Sequence, residues 1–257
     1  MKLPDGIAKR LTALAVAGCA LVLAGCGRLA FEPLSTSDAT TSNGDGDSGA
    51  PGLRPLHLYE LNGTYADTYG GPSLVGAGGT FTANGYQFGI NEGLSVDNAL
   101  PASVYTIDID FSFTDVAMWQ KILDYKGLAA DEGVYVYEGA LQFVIAASAD
   151  FVSGAPNLVA DQRLRVTLTR DASAHVVGYL DRAPIAADRL TSAAPPASPS
   201  GTFDFDDTTH QAQLAGATAA FFIDDSGTTM GEASPGTVRR IAIWDVALTP
   251  AQVATLQ

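Results

Sequence analysis

Cysteine is nearly absent. The 257 residues contain two, Cys19 and Cys26, both near the N-terminus, so the rest of the chain has no thiol for a disulfide, a zinc site or a nucleophile. Positive charge is scarce too. Against 28 Asp and Glu stand 14 Lys and Arg, a formal net charge of −14, and a body this acidic repels nucleic acid and anionic lipid alike. Nucleic acid is therefore not an expected partner. The three histidines, His57, His175 and His210, are scattered singly, without the spacing of a metal-binding helix or a Ser/His/Asp order. There is no Gly-Lys-Ser/Thr phosphate loop and no Gly-x-Ser-x-Gly elbow. Long apolar runs are missing as well: the uncharged stretch 11–25 is shorter than the roughly 20 residues a spanning helix needs.

That short run has another use. Lys2, Lys9 and Arg10 precede it, and it ends in Leu23-Ala24-Gly25-Cys26, so 1–25 reads as a targeting segment with a bacterial lipobox. Small residues at Ala24 and Gly25 admit a signal peptidase, and the Cys26 thiol is expected to receive diacylglycerol. The bland alternative is an ordinary secretory signal with an incidental cysteine. Gly27 rather than Asp after the cysteine points to the outer membrane or surface of a Gram-negative bacterium. The following stretch, 26–52, is rich in Ser, Thr, Gly and Asp, with no large apolar residue between Ser35 and Gly49. Such a tether cannot bury enough to order itself; as a flexible coil of about 25 residues it reaches roughly 25–30 Å.

The remainder, 53–257, is sized for one domain, and it is written in short alternating runs separated by turn residues. The clearest is Tyr105–Phe113, where Tyr105, Ile107, Ile109, Phe111 and Phe113 share one face and Thr106, Asp108, Asp110 and Ser112 the other. The first face is expected in the core and the second in water. Further strands are expected at 57–61, 85–88, 93–96, 118–125, 133–137, 141–146, 163–169, 176–180, 219–223 and 237–244. In the last of these Val238, Ile241 and Ile243 point inward, and the double arginine Arg239-Arg240 breaks the period, as a bulge or a strand start would. Thr249-Pro250 then opens a short terminal helix with Val253 and Leu256 on one side. The expected fold is all-β, two antiparallel sheets face to face, with a short C-terminal helix.

The ending GTVRRIAIWDVALTPAQVATL resembles the C-terminal signature of bacterial laminin-G-like, concanavalin A-like jelly-roll domains, with Trp244, Asp245, Leu248, Thr249 and Leu256 in the matching places. Tyr59-Glu60-Leu61-Asn62-Gly63 is similar to that family's opening strand, and Tyr179-Leu180-Asp181 to a hairpin tip, although Arg182 stands where the family has Gly. The resemblance implies a jelly-roll sandwich in which Trp244 anchors the core. Function is a separate matter, because one fold hosts many.

Three functional readings follow from it. Such jelly rolls often hold calcium on a sheet rim, and Asp224, Asp225 and Glu232 are the candidate ligands, hard oxygens on a flexible loop. The same carboxylates also read as an acidic edge loop, solvated or paired with Arg239 and Arg240. Lectin-like members stack sugars on aromatics. Trp119, Tyr125, Tyr135 and Tyr137 are the aromatics to examine, and Tyr135 and Tyr137, on one face of one strand, are the candidate ligand-binding pair; two tyrosines are more often packed in a core with their hydroxyls at its rim. Glucanase members carry Glu-x-Asp-x-x-Glu on one strand, and this chain has no such pattern. The expected protein is a non-catalytic, lipid-anchored binding module of the cell envelope whose partner is a glycan or an extracellular protein. The alternatives are a glycoside hydrolase-like enzyme and a purely structural envelope protein.

Overall fold

Strands form where the two-residue period is strongest, and their burial shows which face each presents. In chain order they are β1 (His57–Tyr59), β2 (Val75–Gly76), β3 (Thr80–Thr82), β4 (Gly85–Phe88), β5 (Leu94–Asp97), β6 (Tyr105–Phe113), β7 (Gln120–Asp124) and β8 (Gly133–Tyr137). They continue with β9 (Ala140–Ala146), β10 (Asp150–Pro156), β11 (Leu164–Arg170), β12 (His175–Asp181), β13 (Gly201–Asp206), β14 (Thr218–Phe221) and β15 (Gly236–Trp244), followed by a helix of a turn and a half, α1 (Pro250–Thr255). This computed structural model describes residues 54–101, 103–146, 150–156, 158–181, 201–207, 212–214, 218–226 and 231–256. By its contacts the chain divides into Met1–Asp47 and Ser48–Gln257; every described residue belongs to the second unit, so the targeting segment, Cys26 and the tether lie outside them.

The strands make two antiparallel sheets, a jelly-roll sandwich. One is eight-stranded, in the order β13-β12-β11-β6-β15-β4-β3 with β1 pairing beside β15; the other is seven-stranded, β10-β9-β8-β7-β14-β5-β2. Between them lies a core to which Ile107, Ile109, Phe111 and Phe113 of β6 and Val238, Ile241 and Ile243 of β15 contribute from one side. Val134 and Val136 of β8, Leu141 and Phe143 of β9 and Phe221 of β14 contribute from the other. The β15 register shifts between Val238 and Arg240, the bulge that the double arginine announces, and Arg239 is left exposed. Phe222, just past β14, takes a left-handed φ of 61°. That turn aims its ring inward, stacked on Phe88 at 4.5 Å and tilted against Phe111 at 5.3 Å.

The outer face of the eight-stranded sheet differs from expectation. Asp108 and Asp110 are buried rather than wet, at 1% and 6% exposure, because each has an arginine on neighbouring β11 or just before it. Arg165 Nε donates to Asp108 Oδ1 at 2.8 Å, Thr167 Oγ1 donates to the same oxygen at 2.7 Å, and Arg163 Nε donates to Asp110 Oδ1 at 2.6 Å. A buried charge must be paired to persist, and the alternation alone could not reveal that. Trp244 anchors a core as expected, though not the one between the sheets. It is fully buried, but on this outer face, in a second cluster with Leu58, Tyr179, Ala242, Leu248, Val253 and Leu256. Helix α1 covers it. Thr249 caps the helix as a capping box, its side chain accepting from Gln252 N while Gln252 Oε1 accepts from Thr249 N at 2.8 Å, and Pro250 opens the first turn.

Candidate functional site

The outer face of the seven-stranded sheet is built from a bulge. The register of β7 against β8 shifts between Lys121 and Leu123. The extra residue lets Ile122 and Leu123 both enter the core, while Lys121 and Asp124, three residues apart, meet on the opposite side with Nζ to Oδ2 at 3.4 Å. Lys121 stands opposite Tyr135, and Tyr135 opposite Gln142, so one row of polar side chains crosses three strands.

The acidic loop after β14 folds over this row. Asp224 fastens the loop to itself: Oδ1 accepts from Asp225 N at 2.9 Å, and Oδ2 from Gly231 N at 2.9 Å and Glu232 N at 3.0 Å. The carbonyl of Glu232 then accepts from Lys121 N at 2.8 Å, which docks the loop against β7. Asp225 reaches over to form an ion pair with the Lys121 ammonium, and both side chains have no solvent exposure. The Tyr135 hydroxyl donates to Asp131 Oδ1 at 2.8 Å and lies 3.4 Å from Asp225 Oδ2. The Lys121 Nζ sits 4.8 Å from the centre of the Tyr135 ring.

Two groups titrate unusually. Burial, and after it the charges of Asp131 and Asp224, push the Glu232 carboxyl up to about 7. Burial and the hydrogen bond to Asp131 raise the Tyr135 phenol far beyond its ordinary value, so it is a permanent donor. Glu232 Oε2 is buried with no hydrogen-bond partner.

At the edge of this cluster lies an aromatic pair. Trp119 stacks on Tyr137 with ring centres 4.5 Å apart and planes at 20°, and meets Tyr135 edge-on at 5.6 Å and 90°. Both Trp119 and Tyr137 are half-buried. Backbone bonds hold the two segments together, Glu138 N to Ala117 O at 3.3 Å and Gly139 N to Val116 O at 2.8 Å. Met118 beside the pair is 61% exposed.

The sequence offered two separate candidate sets, the carboxylates Asp224, Asp225 and Glu232 and the aromatics Tyr135 and Tyr137. The structure brings them to one place. Their standing within it differs from the sequence reading. Tyr135 presents no surface, with 0% exposure, and Tyr125 only 1%; Trp119 and Tyr137 keep a wet side. The donor set suits calcium poorly, since Asp224 spends its carboxylate on three backbone amides and the Lys121 ammonium fills the space between Asp124 and Asp225 where a cation would sit. Among the described residues no group of three or more His, Cys, Asp or Glu is arranged to hold a metal ion. Sequence reasoning missed Lys121 and Asp131. The available signal was a lysine in mid-strand, set between the apolar pairs Met118-Trp119 and Ile122-Leu123 of MWQKILDY.

No protein-family model and no curated protein matches the chain. Solved structures do. A Trypanosoma rangeli sialidase in complex with sialic acid superposes with a TM-score of 0.56 at 14% identity, over 80% of this chain and 33% of that one. The binding domain of botulinum neurotoxin serotype D gives a TM-score of 0.55 at 10% identity, over 79% of this chain and 51% of that one. A structure of botulinum neurotoxin type C, described as dependent on interaction with two ganglioside molecules for cell entry, gives 0.52 at 12%, covering 77% of this chain and 49% of that one. The chain thus spans a third to a half of the proteins it resembles, and the likeness establishes a shared β-sandwich fold.

Proposed function

We propose that this chain is a lipid-anchored module of the bacterial cell envelope that binds a glycan or an extracellular protein through the outer face of its seven-stranded sheet and performs no chemistry there. The observation that carries the reading is the half-buried Trp119–Tyr137 stack set beside a rigid polar row. Aromatic rings with one wet side next to oriented hydrogen-bonding groups are what a saccharide or a peptide side chain is gripped by. The Lys121, Asp124 and Asp225 side chains are consumed in holding one another, and the chain has no Glu-x-Asp-x-x-Glu strand, which favours binding over catalysis. Two of the structural neighbours are described with saccharide ligands, sialic acid and ganglioside. The lipid anchor is supported by Leu23-Ala24-Gly25-Cys26 behind its charged and apolar segments.

The binding reading is tested by screening the full chain, in detergent, on a glycan array and against extracellular matrix proteins. Capture of a saccharide or protein that Tyr137→Ala abolishes is the expected result; no ligand on either panel would sink it. Anchoring is tested separately by labelling bacteria with a palmitate analogue. Label on the chain that disappears with Cys26→Ser is expected, and equal labelling of the two would overturn it.

A further inference from the structure

The charges around the Trp119–Tyr137 pair select among ligands. On this face the described cations are two. Lys121 is fully buried and already set between Asp124 and Asp225, and Lys126, in the turn after β7, pairs with Glu132 at 3.6 Å. Against them stand Asp124, Asp131, Glu132 and Asp225, and the whole chain carries −14. An incoming carboxylate or sulfate finds no uncommitted cation in that set, and it would be desolvated against like charge. A pyranose without charge meets the opposite situation. Its C–H face lies on an electron-rich ring, and its hydroxyls donate to the half-buried carboxylates Asp131 and Glu132, which accept only.

We propose that the Trp119–Tyr137 platform takes an uncharged pyranose and rejects anionic sugars, in contrast to the sialic acid and ganglioside ligands of the structural neighbours. The inference rests on the binding reading above and goes further by naming the sugar class and the residues that choose it. Tyr135 is a positioning residue. Its ring meets Trp119 edge-on at 5.6 Å, and its hydroxyl, tied to Asp131 at 2.8 Å, fixes the platform from beneath without touching the sugar. Asp131, half-buried beside it, places a negative charge one hydrogen bond away from Tyr135.

The test uses matched pairs that differ only at C6, hydroxymethyl against carboxylate, such as glucose against glucuronic acid and galactose against galacturonic acid, titrated into the full chain by calorimetry. The uncharged partner of a pair is expected to bind at least tenfold more tightly, and Trp119→Ala or Tyr137→Ala to lose at least tenfold. The two tryptophans give a second readout that needs no truncation. Trp244 is buried under α1, so the emission change on adding sugar is expected from Trp119 and to vanish in Trp119→Phe. Asp131→Asn is expected to narrow the preference. Equal or tighter binding of the acidic sugars, or neutral-sugar binding that both aromatic variants leave intact, would overturn this inference while leaving a binding module in place. Failure to bind any saccharide or protein would remove both.

Discussion

The Lys121 ammonium lies against the Asp225 carboxylate, 104 residues further along the chain, with both side chains wholly buried. The same cation also faces Asp124 at 3.4 Å, so a single lysine joins the end of β7 to the acidic loop after β14. The geometry makes the lysine a substitute for the metal ion that the loop's composition suggests.

Removing that cation should be costly. Lys121→Met leaves two carboxylates buried beside one another, and loss of one partner from a buried ion pair typically costs about 3–5 kcal/mol. Urea unfolding of the variant should show a loss in this range, and the double variant Lys121→Met, Asp225→Asn should recover part of it, with a coupling energy that marks direct contact. A loss below about 1 kcal/mol for Lys121→Met would show that the ammonium does not carry this role.

Calcium should leave the domain unmoved. A ligand that binds only the folded state raises stability by about 2.7 kcal/mol at a hundredfold excess over its dissociation constant. With Asp224 held by three amides and Asp225 by Lys121, melts in millimolar calcium and in chelator should coincide. A calcium-dependent rise in Tm that Asp225→Ala removes would restore the metal reading.

The architecture was legible because it is written in nearest-neighbour chemistry. The period of β6, the double arginine of β15 and the Thr249-Pro250 helix start each fix a local conformation, and each is found where it was expected. The resemblance carried by the C-terminal segment 236–256 added the two-sheet sandwich. What alternation could not show is which wet-looking face would be covered. Asp108 and Asp110 are polar in pattern but buried in fact, since their arginines lie more than fifty residues away in sequence. The site suffered from the same blindness. Asp225 and Tyr135 were both singled out, yet nothing local says that they lie 3.4 Å apart, or that Lys121 stands between the acids.

Gly93 should be intolerant of any side chain. It sits just before β5, where an added Cβ would overlap the carbonyl oxygen of Phe221 and crowd the Phe222 carbonyl at 2.8 Å. Those atoms are backbone at the turn that drives Phe222 into the core, so the clash cannot be relieved by a rotamer change. Gly93→Ala should destabilise by about 1–3 kcal/mol or more, the usual range for overpacking. Gly127 is the control: its φ is +69° but nothing lies within 4 Å of an added Cβ, and Gly127→Ala should cost only about 1 kcal/mol of backbone strain. Equal losses in the two variants, read from denaturant midpoints at constant slope, would contradict this assignment.

The domain should be most stable in mild acid, and two groups set the sign. Glu232 titrates near 7 when folded against an ordinary value of 4.5, chiefly through burial and then through Asp131 and Asp224. Below 4.5 it is protonated in both states and makes no difference. As the pH rises from 4.5 to about 7 the unfolded chain gives up its proton while the folded one retains it, so stability is lost across that window and no further above it. His175 acts in the same direction. Its Nδ1 lies 2.9 Å from Asp206 and its Nε2 3.0 Å from Asp204, and only the imidazolium has a proton for both. The hydrogen bond to Asp206, and the charges of Asp204 and Asp171, raise its pKa above 6.5. Its contribution is present below 6.5 and disappears as the pH climbs through the raised value, although these side chains are largely exposed and salt will screen the effect. Calorimetric Tm values at fixed ionic strength should therefore fall between pH 5 and pH 8. Glu232→Gln should flatten the lower part of that fall, and His175→Gln the upper part. A Tm that rises over the same range, or a Glu232→Gln profile parallel to the parent, would place the controlling protons elsewhere.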